Sequence, residues 1–459
     1  MKSEDSPRVL VQFLGASGTV TGSKYLIHVD DHKILVDCGL FQGLKKLRLL
    51  NWEGIPTPIH EIDYVLLTHG HLDHCGYLPR LVKKGYDKTI LGTEPTLDIA
   101  AIVLRDSAKI QEETARKANA EQFTIHSPAE PLYSVKDAEH TIEKFRPVEE
   151  GEWKDLFNGV SVRFQHVGHI IGASFIELDI HGKRYVFSGD VGRKNDWLLT
   201  DPKKPKRADV LFVESTYGDR IHPTDDPLLI LQTHIQKTLE RKGTVIIPCF
   251  AVERAQTIMY LLWKLKSSGQ IMDVPMVMDS PMGGNVLDVF GRLVDSHVLK
   301  PDEFAQMKES FWIVQDIRET KLIVASNEPK IIVAGSGMLS GGRVLTYLER
   351  YLAKKETTII LSGFQAAGTR GRALLDGAKN LKIYGNYYPT RAEVYNMEVL
   401  SSHADQDELL DWLNEIESTP ERVFIVHGEP QAADTFRRVL KDTYQWNAEI
   451  PELYQIVQL

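Results

Sequence analysis

Thr68-His69-Gly70-His71-Leu72-Asp73-His74 follows a largely apolar run that begins at Ile62. The run Ile62–Thr68 reads as a strand buried on both faces, since almost every side chain can leave water. Imidazole and carboxylate are the usual ligands of zinc in catalytic sites. Carried on a tight loop at the C-terminal end of a strand, His69, His71, Asp73 and His74 can surround two metal ions. A helix is expected from Cys75 to Lys84, ending at Gly85. The positive end of its dipole would keep Asp73 ionised. A histidine-rich surface loop would need neither this order of residues nor this place at a strand–helix junction.

Upstream of the cluster, Val9–Leu14, Ser23–Val29 and Lys33–Asp37 read as strands separated by turn residues. Downstream, apolar residues at helical spacing mark one long helix over Thr96–Ala120. Strands follow at Val160–His166, Ala173–Ile180 and Arg184–Ser188, so the fold class is α/β. The Lys/Pro-rich segment Asp201–Arg207 looks like a boundary. Beyond it strand and helix alternate: Val210–Glu214, Leu228–Arg241, Thr244–Pro248, Val252–Lys266, then Pro275–Asp279, Lys330–Ala334 and Thr357–Leu361. That alternation predicts a second, mostly parallel α/β domain. A last strand, Val423–Val426, and a helix over Gln431–Leu440 close the chain. Three more strand ends deliver metal-binding side chains: His169 in Val-Gly-His, Asp190 in Phe-Ser-Gly-Asp, and His427 in Ile-Val-His-Gly-Glu. With the first cluster they complete two coordination shells.

Bulk properties narrow the setting. The 459 residues are 42% hydrophobic and 25% charged, as in soluble globular chains. No apolar run approaches the roughly 18–20 residues that span a bilayer, so no membrane partner is expected. The polar start, Met1 to Pro7, shows no secretory signal. Three cysteines, Cys38, Cys75 and Cys249, cannot build a disulfide framework and fit a reducing cytoplasm. A net charge of −9 argues against wrapping a polyanion by charge alone. Local basic groups exist at Lys45, Lys46 and Arg48, at Lys203 to Arg207, and at Arg437 and Arg438; each reads first as a solvated surface. Bound dications can supply the missing positive potential.

The cluster at 69–74, with Asp37, His169 and Asp190, resembles the signature of the metallo-β-lactamase superfamily. The rest of the chain resembles its β-CASP branch of nucleic-acid-processing nucleases. The motifs are Glu214 in Val-Glu-Ser-Thr-Tyr-Gly, His403 in Ser-Ser-His-Ala-Asp and His427 in Val-His-Gly-Glu. The runs 250–254, 279–282, 336–342 and 363–371 add to it. Val252 and Ala367 depart from what relatives often carry. The resemblance implies a metallo-β-lactamase αββα sandwich with an inserted, mostly parallel α/β β-CASP domain. The expected division is residues 1–207 and 396–459 for the lactamase domain and 208–395 for the insertion.

It also implies two zinc ions, one held by His69, His71 and His169, the other by Asp73, His74 and His427, with Asp190 bridging. Asp37 would orient a ligand histidine from behind, the usual task of an outer carboxylate. The chemistry implied is hydrolysis of RNA phosphodiester bonds by a hydroxide activated by two metals. His403 is the candidate general acid and Glu214 the carboxylate that fixes it; Asp73 and Asp37 complete the catalytic set. Ser401 and Ser402 are candidates for phosphate contact, and so are Ser336 and Gly337 in the glycine-rich loop Gly335–Gly342. That loop fits neither Walker nor Rossmann spacing, so no nucleotide cofactor is expected. His166 reads as an ordinary strand residue and Cys75 as a buried helix-start cysteine.

Histidine at position 427, where DNA-acting relatives usually carry valine, points to single-stranded RNA as the substrate. Endonucleolytic cutting is expected, since the chain shows no appended terminal domain of the kind 5′-exonucleases often carry. A 5′-to-3′ exoribonuclease and a small-molecule metallohydrolase are the alternatives, and a homodimer is left open.

Overall fold

Strand Tyr64–Leu66, short and inward-facing, lies parallel between His32–Val36 and Thr89–Thr93 in a seven-stranded sheet. In this computed structural model, residues 9–121, 127–363, 365 and 368–459 are described. The first eight residues, read above for a signal, and Ala367, read as a family departure, lie outside them. The chain divides into two compact units: up to Ile221 together with His403–Leu459, and His222–Ser402.

The first unit holds two seven-stranded sheets packed face to face. Alternation explains the packing, because successive side chains of a strand point to opposite faces. In the strand Ser174–Ile180, Ile176 joins the core shared by the sheets. Phe175, on the opposite face, meets Trp412 of the helix Gln406–Leu413. Helices cover the other sheet too, with Glu94–Glu121 and Val135–Ile142 packed together beside strands Thr89–Thr93 and Phe145–Val148. This is the αββα layering expected. Between the sheets Phe13, Tyr25, Phe187, Phe212 and Phe424 form a buried aromatic cluster. Phe187 and Phe212 stack with centroids 4.2 Å apart. Burying each ring contributes about 2 kcal/mol.

The second unit contains a six-stranded sheet, parallel at every pairing. Its strands are near-continuous apolar runs such as Ile331–Ala334, as burial on both faces requires. An antiparallel hairpin, Asn380–Ile383 with Asn386–Pro389, stands apart from that sheet. No described helix is long and apolar enough to cross a membrane.

Several readings change. Val210–Glu214 was expected to open the inserted domain. It instead pairs in parallel with Lys183–Phe187 and Arg422–Val426 inside the first unit. The Lys/Pro segment 201–207 is therefore a crossover within one sheet. The Lys203 amide donates to His166 O at 3.0 Å and its carbonyl accepts from Trp412 Nε1 at 2.8 Å, so backbone polarity is satisfied locally. The division between the units accordingly falls later than 207/208 and 395/396. The helix expected over Cys75–Lys84 is two short helices, Leu72–Cys75 and Leu78–Lys83, broken around Gly76, with Pro79 opening the second. Asp73 and His74 thus lie in a helical turn and not on a loop before it. The helix Lys45–Glu53 and the strand Ile456–Gln458 were not anticipated; the latter pairs with the first strand, Val9–Phe13.

Candidate metal centre

Strand directions explain why distant residues meet. His32–Val36 and Tyr64–Leu66 are parallel in one sheet, and Lys183–Phe187, Val210–Glu214 and Arg422–Val426 are parallel in the other. Their C-terminal ends carry Asp37, the 69–74 cluster, Asp190, Glu214 and His427. All of their polar side chains are buried except His71 and Asp73, which are partly exposed.

Asp37 sits behind the cluster. Its carboxylate accepts the Thr68 amide at 2.8 Å and the Thr68 hydroxyl at 2.9–3.0 Å. Its Oδ2 also lies 2.7 Å from His74 Nδ1. A carboxylate only accepts, so His74 carries its proton on Nδ1 and offers the Nε2 lone pair forward. Thr68, which sequence reasoning missed, extends the same logic. Its single hydroxyl proton goes to Asp37, so its oxygen accepts from His69 Nδ1 at 3.0 Å. His69 is then also left with a lone pair on Nε2. Asp37 and His427 both adopt positive φ (57° and 47°), a backbone state that non-glycine residues rarely hold without support.

In front of these partners, two groups of donor atoms converge. His71 Nδ1 lies 3.2 Å from His69 Nε2 and 3.1 Å from His169 Nε2. Asp190 Oδ2 lies 3.4 Å from the former and 3.6 Å from the latter. A zinc tetrahedron with Zn–N bonds of about 2.0–2.1 Å has edges of about 3.3 Å, so this donor set has the size of one shell. In the second group His74 Nε2 is 3.1 Å from His427 Nε2, which is 3.5 Å from Asp73 Oδ2. Asp190 Oδ1 faces this group, 3.3 Å from both His74 Nε2 and His427 Nδ1. It is buried without a hydrogen-bond partner among the described residues. Lone pairs pointed at one another in a buried site are costly unless a cation fills the space between them. The residues therefore fit metal ions, and Asp190, with one oxygen toward each group, is placed to serve both.

Thr216 plays for His427 the part that Thr68 plays for His69, and it too was missed. Its hydroxyl lies 3.2 Å from both His427 Nδ1 and His427 O. The only sequence signal for either threonine is its place beside a ligand or motif residue.

Burial decides the titration of three of the histidines. It depresses His69 to about 3 and His71 to about 4, and pushes His169 well below the ordinary imidazole value. These rings stay neutral, as metal ligands must. Burial alone would raise Asp73 and Asp190. The surrounding histidines, His427 and His74 foremost, outweigh it and hold both carboxylates below their usual range. For His74 burial is again outweighed, here by Asp190 and Asp37, which raise it, so a metal bound at Nε2 would release the second ring proton.

His403 stands at the margin of the cluster with its side chain 21% exposed. Its Nδ1 is 3.3 Å from Glu214 Oε1, and its Nε2 is 4.0 Å from Asp190 Oδ2. Burial would lower its pKa, but Glu214 overcomes that and raises it to about 9. Glu214 is wholly buried and accepts the amides of Val191 at 2.6 Å and Thr216 at 3.1 Å.

The remaining candidates lie in the second unit. Ser401 and Ser402 end it, and the Ser401 amide donates to Glu398 O at 3.3 Å. The Ser336 hydroxyl accepts from the amides of Ser340 and Gly341 within its own loop. Gly337 is needed for space, because a Cβ there would come within 2.9 Å of the Phe250 ring. His166 is held by Thr200, 2.9 Å from its carbonyl, and Cys75 donates to Gly70 O at 3.4 Å; both are structural.

Comparison with known proteins follows the same lines. Residues 18–241 match the metallo-beta-lactamase superfamily, 255–374 the Beta-Casp domain and 387–451 the Zn-dependent metallo-hydrolase RNA specificity domain. Ribonuclease TTHA0252 of Thermus thermophilus is 36% identical over 91% of this chain and 92% of its own. Transcription termination factor FttA of Methanocaldococcus jannaschii is 28% identical over 94% of this chain and 69% of its own. An RNase J-like protein of the same organism is 29% identical over 96% and 98%. A solved protein of unknown function from Enterococcus faecalis V583 shares the fold, with a TM-score of 0.55 at 14% identity over 98% of this chain and 100% of that one. Identity of this extent, together with the matched domains, shows that the chain belongs to the β-CASP family of the metallo-β-lactamase superfamily.

Proposed function

We propose that the protein is a zinc-dependent ribonuclease that cuts single-stranded RNA internally. One observation carries this reading: His69, His71, Asp73, His74, His169, Asp190 and His427 converge as two donor groups sharing Asp190. Imidazole nitrogens and carboxylate oxygens at these spacings suit zinc better than the oxygen-preferring magnesium or calcium. The full ligand set, including His427, supports two ions. When bound, such a pair lowers the pKa of water and neutralises charge on the phosphate oxygens. The RNA substrate is supported by the ribonuclease names of relatives and by the RNA specificity domain matched at 387–451. Three buried free cysteines fit a reducing cytoplasm.

The chain's own residues supply the proton chemistry. His403, raised to about 9 beside Glu214, is protonated at neutral pH and partly open to solvent. Its Nε2, directed toward Asp190, hands a proton to the departing 3′-oxygen; Glu214 holds the opposite nitrogen and so fixes tautomer and ring orientation. Asp37 and Thr68 keep His74 and His69 in the ligating tautomer. Loss of the 3′-oxygen leaves 3′-hydroxyl and 5′-phosphate ends.

The test is to incubate end-labelled RNA and DNA oligomers with the protein, with and without chelator and zinc add-back, and to map the product ends. Internal RNA fragments with 5′-phosphates, lost to chelator and restored by zinc, are expected. Release of mononucleotides from one end would replace the internal mode with exonuclease action. Inert RNA would overturn the reading.

A further inference from the structure

The helix Lys45–Glu53 is tied to the metal centre's own backbone. Asn51 donates to Phe41 O at 2.9 Å and accepts the Phe41 amide at 3.0 Å. The segment it grips flanks the cluster directly, with Cys38 N donating to His74 O at 2.7 Å and Leu40 N to Leu72 O at 3.1 Å. Packing there is close, since a Cβ on Gly39 would lie 1.5 Å from Asp73 O.

The helix's outer surface is unusual for a chain of net charge −9. Lys45, Arg48, Leu49 and Trp52, spaced three and four apart, share one exposed stripe, with Lys46 beside it. None of the three cations has an ion pair or hydrogen bond from its side chain among the described residues. Elsewhere many surface cations pair with carboxylates, as Lys203 does with Glu150 and Lys237 with Glu393. Leu49 and Trp52 are about half exposed, and Leu44 extends the apolar strip at the helix start. The Arg80 guanidinium lies 5.5 Å from the Trp52 ring centre. Unpaired cations beside an exposed indole form a surface that attracts phosphates and stacks bases without reading sequence. At 1.5 Å per residue, Lys45 to Trp52 spans about 10 Å, the length of about three stacked nucleotides.

We propose that this stripe binds the single-stranded RNA flanking the scissile bond, with Trp52 stacking a base and Lys45, Lys46 and Arg48 pairing with phosphates. The inference rests on the ribonuclease reading. A neutral apolar partner would waste three unpaired positive charges, and a folded acidic protein would not need an exposed indole between them. Charge complementarity and stacking together select a nucleic-acid strand.

The test compares kcat/KM for a 20-nucleotide RNA with kcat/KM for a chromogenic phosphodiester too small to reach the helix. Trp52→Ala should lower the RNA-to-diester ratio about 5-fold or more, and Trp52→Phe should restore most of it. The triple variant Lys45→Ala, Lys46→Ala, Arg48→Ala should also lower the ratio. It should make the fall of RNA binding with log salt shallower by about 2, at about 0.7 per phosphate contact in single strands. An unchanged ratio and salt slope in all variants overturn the proposal, as does an equal loss on both substrates, which would mean that the metal centre itself was disturbed. Cleavage of RNA by the wild type in the same assay reports separately on the ribonuclease reading.

Discussion

His403 Nδ1 lies 3.3 Å from Glu214 Oε1, an oxygen that also accepts the Val191 amide at 2.6 Å. A buried carboxylate held in this way cannot swing, so the imidazole it faces is fixed in orientation as well as in charge. His403→Ala should keep its metal and lower RNA cleavage by about 10²–10⁴-fold. A p-nitrophenyl diester, whose leaving group departs without a proton, should lose far less. Equal loss on both substrates would show that His403 does something other than donate a proton.

Thr68 and Thr216 set the tautomers of His69 and His427. Thr68→Val or Thr216→Val should weaken metal affinity by about 10–100-fold, measured by competition with a calibrated chelator. Serine at either position keeps the hydroxyl and should bind within a few-fold of wild type. If valine and serine behave alike, the hydroxyl is not what orients the ring.

Asp73→Ala removes a proposed ligand and would leave His427 Nε2 and His74 Nε2 to face an incomplete shell. Metal content and cleavage should fall together. Full occupancy in that variant would remove Asp73 from the ligand set.

Phe212 is fully buried between Phe187 and Phe424 at the centre of the two-sheet core. Phe212→Ala should cost about 3–5 kcal/mol in urea unfolding, because a cavity among three rings has little room to collapse. A cost under about 1 kcal/mol would mean the sheets re-pack freely.

What could be read in the sequence followed from how local the signal was. The 69–74 cluster, the strand ends carrying Asp190 and His427, and the parallel second sheet rest on short apolar runs with a polar terminus, a pattern visible in one dimension. The strand Val210–Glu214 was misplaced because its neighbours are set by pairing with Arg422–Val426, which local pattern does not encode. Ile456–Gln458 stayed hidden for the same reason, as a three-residue edge strand defined only by its partner. Thr68 and Thr216 escaped because a hydroxyl's role depends on which proton acceptors surround it in space. The helix Lys45–Glu53 lacks a side-chain cap and an acidic first turn, the usual marks of a helix start.

Metal stoichiometry tests the central claim most directly. Elemental analysis of the purified protein, paired with anomalous diffraction at the zinc edge, should give two zinc ions per chain. One should lie among His69, His71 and His169 and the other among Asp73, His74 and His427, with Asp190 touching both. A folded protein that takes up no metal, or a single ion bound away from these side chains, would contradict the account.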